Sequence, residues 1–378
     1  MIIYTGAFRL PDHDAAAKRV RQVAKGIVSG GETVSFISWG GDTGGVIDGC
    51  QYRSSADIDR NDNNVVFRAM NFVFMGWRAL SLIIRERKSL NEGVVIAYNP
   101  SAFFALSLLL LSRIFRFHAV IDSTEWYQSS HLPGGRFGLA AFENMLRMRV
   151  VYPLYKNVIV ISRYLERYFR ERGANVIRVP AMVESISGPY KKQEDAIRLV
   201  YAGNMGQKDS VEDVAKAVQH AVTRYSIPIQ FDIYGPSPEE VRKKLGEAAD
   251  FVSCKGRVPA EVVQNAYKTA DFSVLFRDQE RYALAGFPTK ASESWAAGVP
   301  LLTNAVGDIA EYCNSQTAFV VKRDADLTEH LMDFFENLAP ETLDSMKEAS
   351  ARMARENFLW ECGAKGLVDF IKCVKAAK

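Results

Sequence analysis

The chain has 378 residues, which is long enough for two domains of ordinary size. Apolar residues make up 48% of it and charged residues 24%, proportions that are average for globular proteins and exclude a disordered or fibrous chain. The net charge of +3 is unevenly distributed, because residues 1–180 carry +8 and residues 181–378 carry −5. The basic half indicates a polyanionic partner or an anionic membrane surface, and composition alone leaves both open.

The start of the chain, Met1 to Tyr4, is typical of a buried strand and lacks the features of a signal peptide. The five cysteines are scattered without a Cys-x-x-Cys pair, which favours a reducing compartment. The most apolar stretch, Ser101 to Ser112, is shorter than the roughly 20 residues needed to span a bilayer. We therefore expect a soluble, cytoplasmic protein without a transmembrane helix.

In the first half, short β-branched and aromatic runs alternate with amphipathic segments, which indicates βα units around a parallel sheet. The predicted strands are Met1–Tyr4, Thr33–Ser38, Gly93–Tyr98, His118–Asp122, Asn157–Ile161 and Ala174–Val179. A polar stretch with Gly188-Pro189, from Glu184 to Ala196, then predicts a linker between domains.

The same alternation restarts after the linker, so the chain is predicted to hold two α/β domains in tandem. The predicted strands are Ile197–Gly203, Ile229–Gly235, Phe251–Gly256, Phe272–Phe276 and Pro300–Thr303. We expect an N-terminal domain at 1–183, a C-terminal domain at 197–355, and a final helix at 356–378 that packs back on the first domain. Open α/β sheets bind ligands beyond the carboxyl ends of their strands, so the two domains are expected to face a central cleft that holds the ligand.

The loop after the strand at 197–203 contains Gly203, Asn204, Gly206 and Lys208. Glycines between a strand and a helix let backbone N–H groups approach a phosphate, and Lys208 would add a positive charge. An ordinary βα turn with a solvated lysine explains this fragment equally well.

A more specific pattern is Ala285-Gly-Phe-Pro-Thr-Lys-Ala-Ser-Glu-Ser-Trp-Ala-Ala-Gly-Val-Pro300. Pro288 and Thr289 predict the start of a helix, and Gly298 predicts its end. The helix N-terminus offers free N–H donors to a diphosphate, with Lys290 adding charge. Glu293, one turn further on the same face, has a carboxylate that could accept hydrogen bonds from both hydroxyls of a ribose.

This stretch resembles the nucleotide-sugar signature of the family 4 retaining glycosyltransferases, whose fold is GT-B, with two Rossmann-like α/β/α domains. The resemblance covers the C-terminal domain and extends loosely to the N-terminal one. It implies an enzyme that moves a hexose from a nucleoside-diphosphate sugar to an acceptor with retention, without a catalytic metal or a cofactor. The donor-binding residues it implies in this domain are Asn204, Lys208, Arg277, Pro288, Thr289, Lys290 and Glu293.

The sequence departs from that family at two positions. The family commonly has two glutamates eight residues apart, and the first falls on Ala285. The basic residue often found after the strand glycine is Asn204 here. Arg277, Arg281 and Lys290 would compensate, and Arg277 or Lys290 is expected to stabilise charge on the leaving phosphate. Both arginines could instead be surface charges on a loop.

In the N-terminal domain, the resemblance implies that Gly6 lies in a glycine loop after the first strand, facing the donor. Asp122 and Glu125 follow another predicted strand beside Trp126, and we expect both to be catalytic carboxylates. A turn-capping Asp122 and a solvated Glu125 are the alternatives. His131, which stands next to a Pro-Gly-Gly segment, is a poorer candidate.

Basic and apolar residues are mixed in three segments: Trp77–Lys88, Arg113–Phe117 and Arg136–Arg149. Such segments suit peripheral docking on anionic lipid at the inner face of the membrane, and they equally suit amphipathic core helices. A lipid-linked or cell-surface glycan intermediate would then be the acceptor, in polysaccharide biosynthesis. No feature predicts binding to nucleic acid.

Two other functions remain open. A sugar-nucleotide epimerase with the same architecture would need several carboxylates and histidines around the sugar, and the five histidines are scattered. A catalytically inactive nucleotide-sugar-binding protein is compatible with Ala285 and Asn204. The sequence does not indicate which sugar, nucleotide or acceptor is used.

Overall fold

The structure, a computed structural model, describes residues 1–59, 64–190, 196–205, 209–321 and 327–377. It forms two compact units, of which the first comprises Met1–Met182 with Trp360–Lys378 and the second comprises Val183–Leu359. Each unit has its own sheet and its own apolar core.

The first unit has an eight-stranded sheet with helices between its strands. Its strands are β1 (Ile2–Leu10), β2 (Val34–Gly41), β3 (Gly44–Ile47), β4 (Cys50–Ser54), β5 (Val94–Tyr98), β6 (His118–Ser123), β7 (Asn157–Val160) and β8 (Asn175–Arg178). Its helices before residue 182 are α1 (Ala15–Val28), α2 (Val65–Val73), α3 (Trp77–Arg85), α4 (Ala102–Phe115), α5 (Leu139–Leu146) and α6 (Arg163–Arg170).

The strand order in this sheet is β3-β4-β2-β1-β5-β6-β7-β8, and every pair is parallel except β3 with β4. The six predicted strands of this half are confirmed. The short β3–β4 hairpin was not predicted, since its glycine-rich strand gives no clear alternation. Strand β1 also runs six residues beyond its predicted end at Tyr4.

The second unit has a six-stranded sheet. Its strands are β9 (Ile197–Ala202), β10 (Ile229–Tyr234), β11 (Ser253–Gly256), β12 (Phe272–Leu275), β13 (Leu301–Thr303) and β14 (Ala318–Val320). Its helices are α7 (Glu212–Tyr225), α8 (Pro238–Leu245), α9 (Ala260–Tyr267), α10 (Arg281–Ala285), α11 (Thr289–Ala296), α12 (Leu327–Glu336) and α13 (Pro340–Asn357).

This sheet is parallel throughout its described strands, in the order β11-β10-β9-β12-β13-β14. The chain passes from β9 outward to β11 and then returns to the other side of β9 at β12. The carboxyl ends of β9 and β12 therefore form the switch point at which doubly wound sheets bind ligands. Part of the predicted linker belongs to this unit, because the backbone N–H groups of Ser187 and Gly188 both donate to the Ala296 carbonyl.

The last helix, α14 (Trp360–Ala376), belongs to the first unit and packs beside α1. Its buried residues Leu367, Phe370, Ile371 and Val374 join the apolar cluster on one face of the first sheet. A second apolar cluster, which includes residues of α3 and α4, covers the other face. The strands are apolar on both faces because helices cover both of them.

A buried ion pair links β6 to α1 in the first unit. The Arg19 guanidinium donates from Nη2 to Asp122 Oδ1 over 2.8 Å and from Nε to Asp122 Oδ2 over 3.1 Å. Tyr4 Oη donates to the same carboxylate, and Arg19 Nη1 donates to the Val179 carbonyl over 2.9 Å. Because the Arg19 and Asp122 side chains are 4% and 0% exposed, each is a buried charge that depends on the other.

We predict that Asp122→Asn lowers the free energy of unfolding of the first unit by about 3–5 kcal/mol, since it leaves the Arg19 charge buried without a counter-ion. Hydrogen exchange of the β1 and β6 amides measures this unit by itself. The control is Asp59→Asn, which removes one of the two carboxylates that pair with Arg9, in a half-exposed pair, and should cost less than about 1 kcal/mol. Equal effects of the two substitutions would contradict the special role of the buried pair.

Candidate functional site

The N-terminus of α11 supplies the first part of the candidate site. Pro288 precedes the helix with extended backbone, and Thr289 is its first residue. Among the described residues, no side chain caps this end of the helix. The first N–H groups and the positive end of the helix dipole are therefore directed toward the loop ahead of it.

Lys290, the second residue of α11, projects into a buried cluster of charges. Its ammonium group donates to Asp209 Oδ2 over 2.5 Å and lies 4.3 Å from the centre of the Tyr201 ring. Arg277, just after β12, donates from Nε to Asp209 Oδ1 over 2.9 Å. One carboxylate thus holds two cations that lie 13 residues apart in the sequence.

Strand β9 shapes the space that the Lys290 side chain fills. Tyr201 Oη donates to Asp209 Oδ2 over 2.9 Å, so the carboxylate accepts from three side chains. A Cβ on Gly203, whose φ is +159°, would lie 2.6 Å from Lys290 Nζ, so a larger residue would displace the ammonium from the strand end. The predicted glycine is therefore explained here by the close approach of a lysine.

Asn304, which follows β13, fixes the main chain of Arg277. Its Oδ1 accepts from the Arg277 backbone N–H over 3.1 Å, and its Nδ2 donates to the Arg277 carbonyl over 2.7 Å. These two bonds hold the loop after β12 at the carboxyl edge of the sheet. The predicted residues Arg277 and Lys290 are thereby brought together at the β9–β12 switch point, where anionic ligands of such sheets bind.

The charges of this cluster shift the pKa values of Asp209 and Lys290. Burial alone would raise the pKa of the Asp209 carboxyl, but Lys290 and Arg277 lower it to about 2. Burial lowers the pKa of Lys290, and Asp209 opposes that shift. Asp209 is therefore ionised at every physiological pH.

The remaining predicted residues of the second unit lie nearby or outside the described chain. Glu293 is half-buried on α11. Burial lowers the pKa of Lys290 and the charge of Glu293 weakly opposes that shift, whereas burial raises the pKa of Tyr267 and the charge of Glu293 adds to it. Asn204 is exposed, and its carbonyl accepts from Tyr201 Oη over 3.0 Å. Lys208 lies outside the described residues. Ala285, at the position of the family's first glutamate, is fully buried at the end of α10.

Gly6 does not lie in a loop, and that prediction is wrong. It is in the middle of β1, paired with Ser38 of β2 and Tyr98 of β5. A Cβ on Gly6 would collide with the Tyr98 carbonyl oxygen, because the two strands approach closely at this point. Strand packing explains this glycine, and its donor-binding role stays a prediction.

The two predicted carboxylates near β6 differ in their surroundings. Asp122 has no exposed surface and is bound by Arg19 and Tyr4, so we assign it a structural role in place of the predicted catalytic one. Glu125 is half-buried and accepts a hydrogen bond from Tyr127 Oη. Its catalytic role stays a prediction.

Several residues of these sites were not predicted. Asp209, Tyr201 and Asn304 were missed because their partners are distant in the sequence, although Asp209 directly follows the predicted phosphate loop. In the first unit, Asn99 and Thr124 exchange two hydrogen bonds of 2.6 and 2.9 Å at the ends of β5 and β6. Asn99 has a φ of +40°, a conformation that asparagine tolerates better than most residues. Within the described ranges, no group of three His, Cys, Asp or Glu residues is placed to hold a metal ion.

We predict that Asp209→Asn reduces the acid sensitivity of the second unit. The pKa of Asp209 is depressed in the folded protein, so its stabilising contribution is present above the unfolded value near 3.8 and is lost as the pH falls through about 2. Between about pH 4.5 and pH 2, the wild type should lose about 2 kcal/mol more than the variant. Urea unfolding followed by the ¹⁹F signal of 5-fluorotryptophan at position 295 reports on this unit, where Trp295 is the sole tryptophan.

The control for that experiment is Asp250→Asn, whose side chain pairs with Arg242 and is 58% exposed. It should keep the wild-type pH dependence, because water screens an exposed pair. Identical curves for wild type and Asp209→Asn would show that the ion pairs of Asp209 do not stabilise the fold.

The chain is similar to known proteins both in sequence, over part of its length, and in fold. Residues 196–337 match the sequence profile described as Glycosyl transferases group 1. No curated protein sequence matches the chain significantly. Similar solved structures include sucrose-phosphate synthase from Thermosynechococcus elongatus, with 16% identity, a TM-score of 0.72 and full coverage of both chains.

Two further structures are similar over nearly their whole length. The catalytic domain of starch synthase IV from Arabidopsis thaliana, bound to ADP and acarbose, has 10% identity and a TM-score of 0.69, with 99% of each chain covered. WaaG, a glycosyltransferase involved in lipopolysaccharide biosynthesis, has 12% identity and a TM-score of 0.65, with 98% of this chain and 99% of WaaG covered. At these identities the likeness establishes the fold, and it confirms the predicted GT-B class. Residues 196–337 are thus similar to the glycosyl transferases group 1 family, in a chain with the GT-B fold.

Proposed function

We propose that this protein transfers a hexose from a nucleoside-diphosphate sugar to a glycan or lipid-linked acceptor, with retention of the anomeric configuration. The observation that carries the proposal is the convergence of Lys290, Arg277 and the uncapped N-terminus of α11 at the switch point of the second sheet. A diphosphate is the ligand that two cations and free backbone donors suit best.

The chemistry of the proposed reaction requires positive charge at the leaving group. When the bond between the sugar and the nucleotide breaks, negative charge grows on the departing phosphate oxygen. Lys290 and Arg277 stabilise that charge from fixed positions in a largely buried site, where electrostatic interactions are stronger than in water. In this proposal the two cations stabilise the charge on the leaving phosphate, as a divalent metal does in other transferases.

Glu293 is assigned to the ribose of the donor, and Glu125 keeps its predicted role as a catalytic carboxylate. Glu293 follows Lys290 by three residues on α11, so a ribose next to the diphosphate would come within reach of its carboxylate. Glu125 stands at the carboxyl end of β6, paired with Tyr127, on the unit that would receive the acceptor. Starch synthase IV, which has the same fold, was solved with ADP.

We predict that Lys290→Ala weakens binding of the cognate nucleoside diphosphate by about 10- to 100-fold, since it removes a charged hydrogen-bond donor. Binding of the corresponding nucleoside should stay the same. Isothermal titration with UDP, GDP, ADP and dTDP, and with their nucleosides, identifies the ligand and measures both effects. Lys216→Ala, an exposed lysine on α7, is the control and should change neither affinity.

Equal losses for the diphosphate and the nucleoside would contradict the phosphate role of Lys290. Incubation with a labelled donor then separates the three candidate activities. Transfer of label to an acceptor supports the transferase, conversion of the donor sugar indicates an epimerase, and an unchanged donor indicates a binding protein.

A lipid-linked acceptor would lie in a membrane, and the first unit has a surface that suits docking on one. Helices α2, α4 and α5 of the first unit carry unusually exposed apolar side chains, among them Val66 (65% exposed), Ile114 (68%) and Phe142 (58%). Phe137, just before α5, is fully exposed. The three helices meet near the start of α4, where Phe103 contacts Phe74 and the Ala102 N–H donates to Glu143. Exposed apolar side chains on neighbouring helices of a folded unit favour an interaction site.

The positive charge around this surface favours an anionic bilayer as its partner. Exposed arginines stand among the apolar residues, at positions 68, 113, 136 and 149. Glu143 is the sole carboxylate in α2, α4 and α5, and it pairs with Arg147. Arginines near an anionic leaflet contribute about 1 kcal/mol each, in addition to insertion of the apolar side chains.

No single described helix is long and apolar enough to cross a bilayer, although the bent pair Val66–Val73 and Trp77–Arg85 meets the criteria of length and composition when its members are combined. Our proposal is peripheral docking, in which side chains enter the interfacial region only. It moves the docking surface from the predicted segment Trp77–Lys88 to α2, because Ala79, Leu80 and Ile83 of α3 are buried in the core.

We predict that Leu110→Ser with Ile114→Ser lowers binding to vesicles containing anionic lipid at least about 10-fold, through the lost burial of two apolar side chains. Wild-type binding should exceed binding to neutral vesicles and should fall as salt rises. Val262→Ser, which removes an exposed apolar side chain of the second unit, should have no effect. Unchanged vesicle binding together with loss of self-association in sedimentation would assign the surface to a second copy of the chain instead.

A further inference from the structure

The proposed chemistry leaves the buried Asp209 carboxylate without a role, although it is bound by both proposed phosphate ligands. Its side chain is 4% exposed, and its oxygens accept from Lys290, Arg277 and Tyr201. It thereby connects three separate pieces of the second unit, namely the chain after β9, the chain after β12 and the start of α11. A negative charge is unexpected at a site built to hold an anion, so its presence needs an explanation.

The pattern of contacts leaves both cations available to a second anion. Arg277 binds Asp209 through Nε, and among the described residues the structure gives its two terminal nitrogens no hydrogen-bond partner. Lys290 has three N–H donors, of which one is directed at Asp209. Their side chains are 13% and 12% exposed, against 4% for Asp209, so the cations are closer to solvent than the carboxylate.

We propose that Asp209 is a positioning residue of the phosphate site, which holds the Lys290 ammonium and the Arg277 guanidinium beside each other, charged and aligned for the diphosphate of the donor. Without it, two like charges would be forced together in a largely buried place, where their repulsion is poorly screened. The inference rests on the proposed function for the identity of the ligand, while the effect of Asp209 on Lys290 stands on the contacts alone.

Asp209 also extends the pH range in which Lys290 is charged. The charged and titratable groups that act on Lys290 are Asp209, Arg277 and Glu293, and the Tyr201 ring lies beside it. Burial and Arg277 lower its pKa, whereas Asp209 and Glu293 raise it. Removing the charge of Asp209 leaves the two lowering effects opposed only by Glu293, so Lys290 would lose its proton at a lower pH.

The test measures the protonation of Lys290 directly. Trace acetic anhydride acetylates only the neutral amine, so the rate of Lys290 labelling from pH 6 to 11, read by peptide mass spectrometry, gives its titration midpoint. In the full-length Asp209→Asn variant the midpoint should fall by about 1–3 pH units relative to wild type. Lys216 on α7 should show the same midpoint in both proteins and serves as the internal control.

A second variant tests the same electrostatics while Asp209 stays paired. Arg277→Gln removes the neighbouring cation, so the Lys290 midpoint should move to higher pH, opposite to the change in Asp209→Asn. This variant keeps the inference testable if Asp209→Asn does not fold. A Lys290 midpoint that is unchanged in folded Asp209→Asn, or that moves the same way in both variants, overturns the inference.

The ligand arm separates this inference from the proposed function. The affinity of wild type and Asp209→Asn for the tightest-binding nucleoside diphosphate is measured by titration over the same pH range. Loss of affinity at a lower pH in the variant, in step with Lys290 labelling, supports both proposals. A shifted Lys290 midpoint with affinity that does not follow it upholds the role of Asp209 and overturns the phosphate role of Lys290.

Discussion

In the second unit, the ion pairs of Asp209 decide where the other parts of the site can lie. The carboxylate is reached from β9 by Tyr201, from the end of β12 by Arg277 and from α11 by Lys290. These elements come from three stretches of the chain that the parallel sheet brings to one edge. Since strand order alone leaves loops free to vary, a shared buried partner is what gives them a defined geometry.

The first unit contains a comparable arrangement with a different outcome. There Asp122 accepts from Tyr4 of the first strand and from Arg19 of the first helix, much as Asp209 accepts from Tyr201 of β9 and from two cations. Arg19, however, is buried, and its Nη1 donates to the carbonyls of Val179 and Pro180. The Asp122 pair is therefore fully buried and satisfied within the fold, whereas the two cations held by Asp209 can still bind another anion.

Local patterns in the sequence predicted the regular elements well, for a physical reason. Strands covered on both faces must be apolar throughout, so runs such as Val94–Tyr98 and Phe272–Leu275 are visible without any knowledge of the fold. The start of α11 was visible because Pro288 and Thr289 are local signals for a helix. Gly6 was misassigned because glycine favours a turn locally, whereas here it allows two strands to approach closely.

The partners of the buried charges could not be predicted in this way. Asp209 and Lys290 are 81 residues apart, and Asp122 and Arg19 are 103 apart. An isolated aspartate has the same local signature whether it caps a turn or neutralises a cation, so its role depends on contacts that only the tertiary structure creates. The exposed apolar side chains of α2 were equally hidden, since periodicity does not show which face of a helix is left uncovered, whereas Ile114 of α4 lies in the predicted segment Arg113–Phe117.

The return of α14 to the first unit has a consequence for how the protein is made. Because α14 completes the core around α1, the first unit is built from two separated stretches, and the second is an insertion whose ends meet where Val183 pairs with Leu359. During synthesis, residues 183–359 can fold as one continuous stretch as soon as they have left the ribosome. The earlier residues must wait, with the apolar surface of α1 still open, until the final helix arrives to cover it. The part of the chain synthesised first is therefore the last to reach its native core.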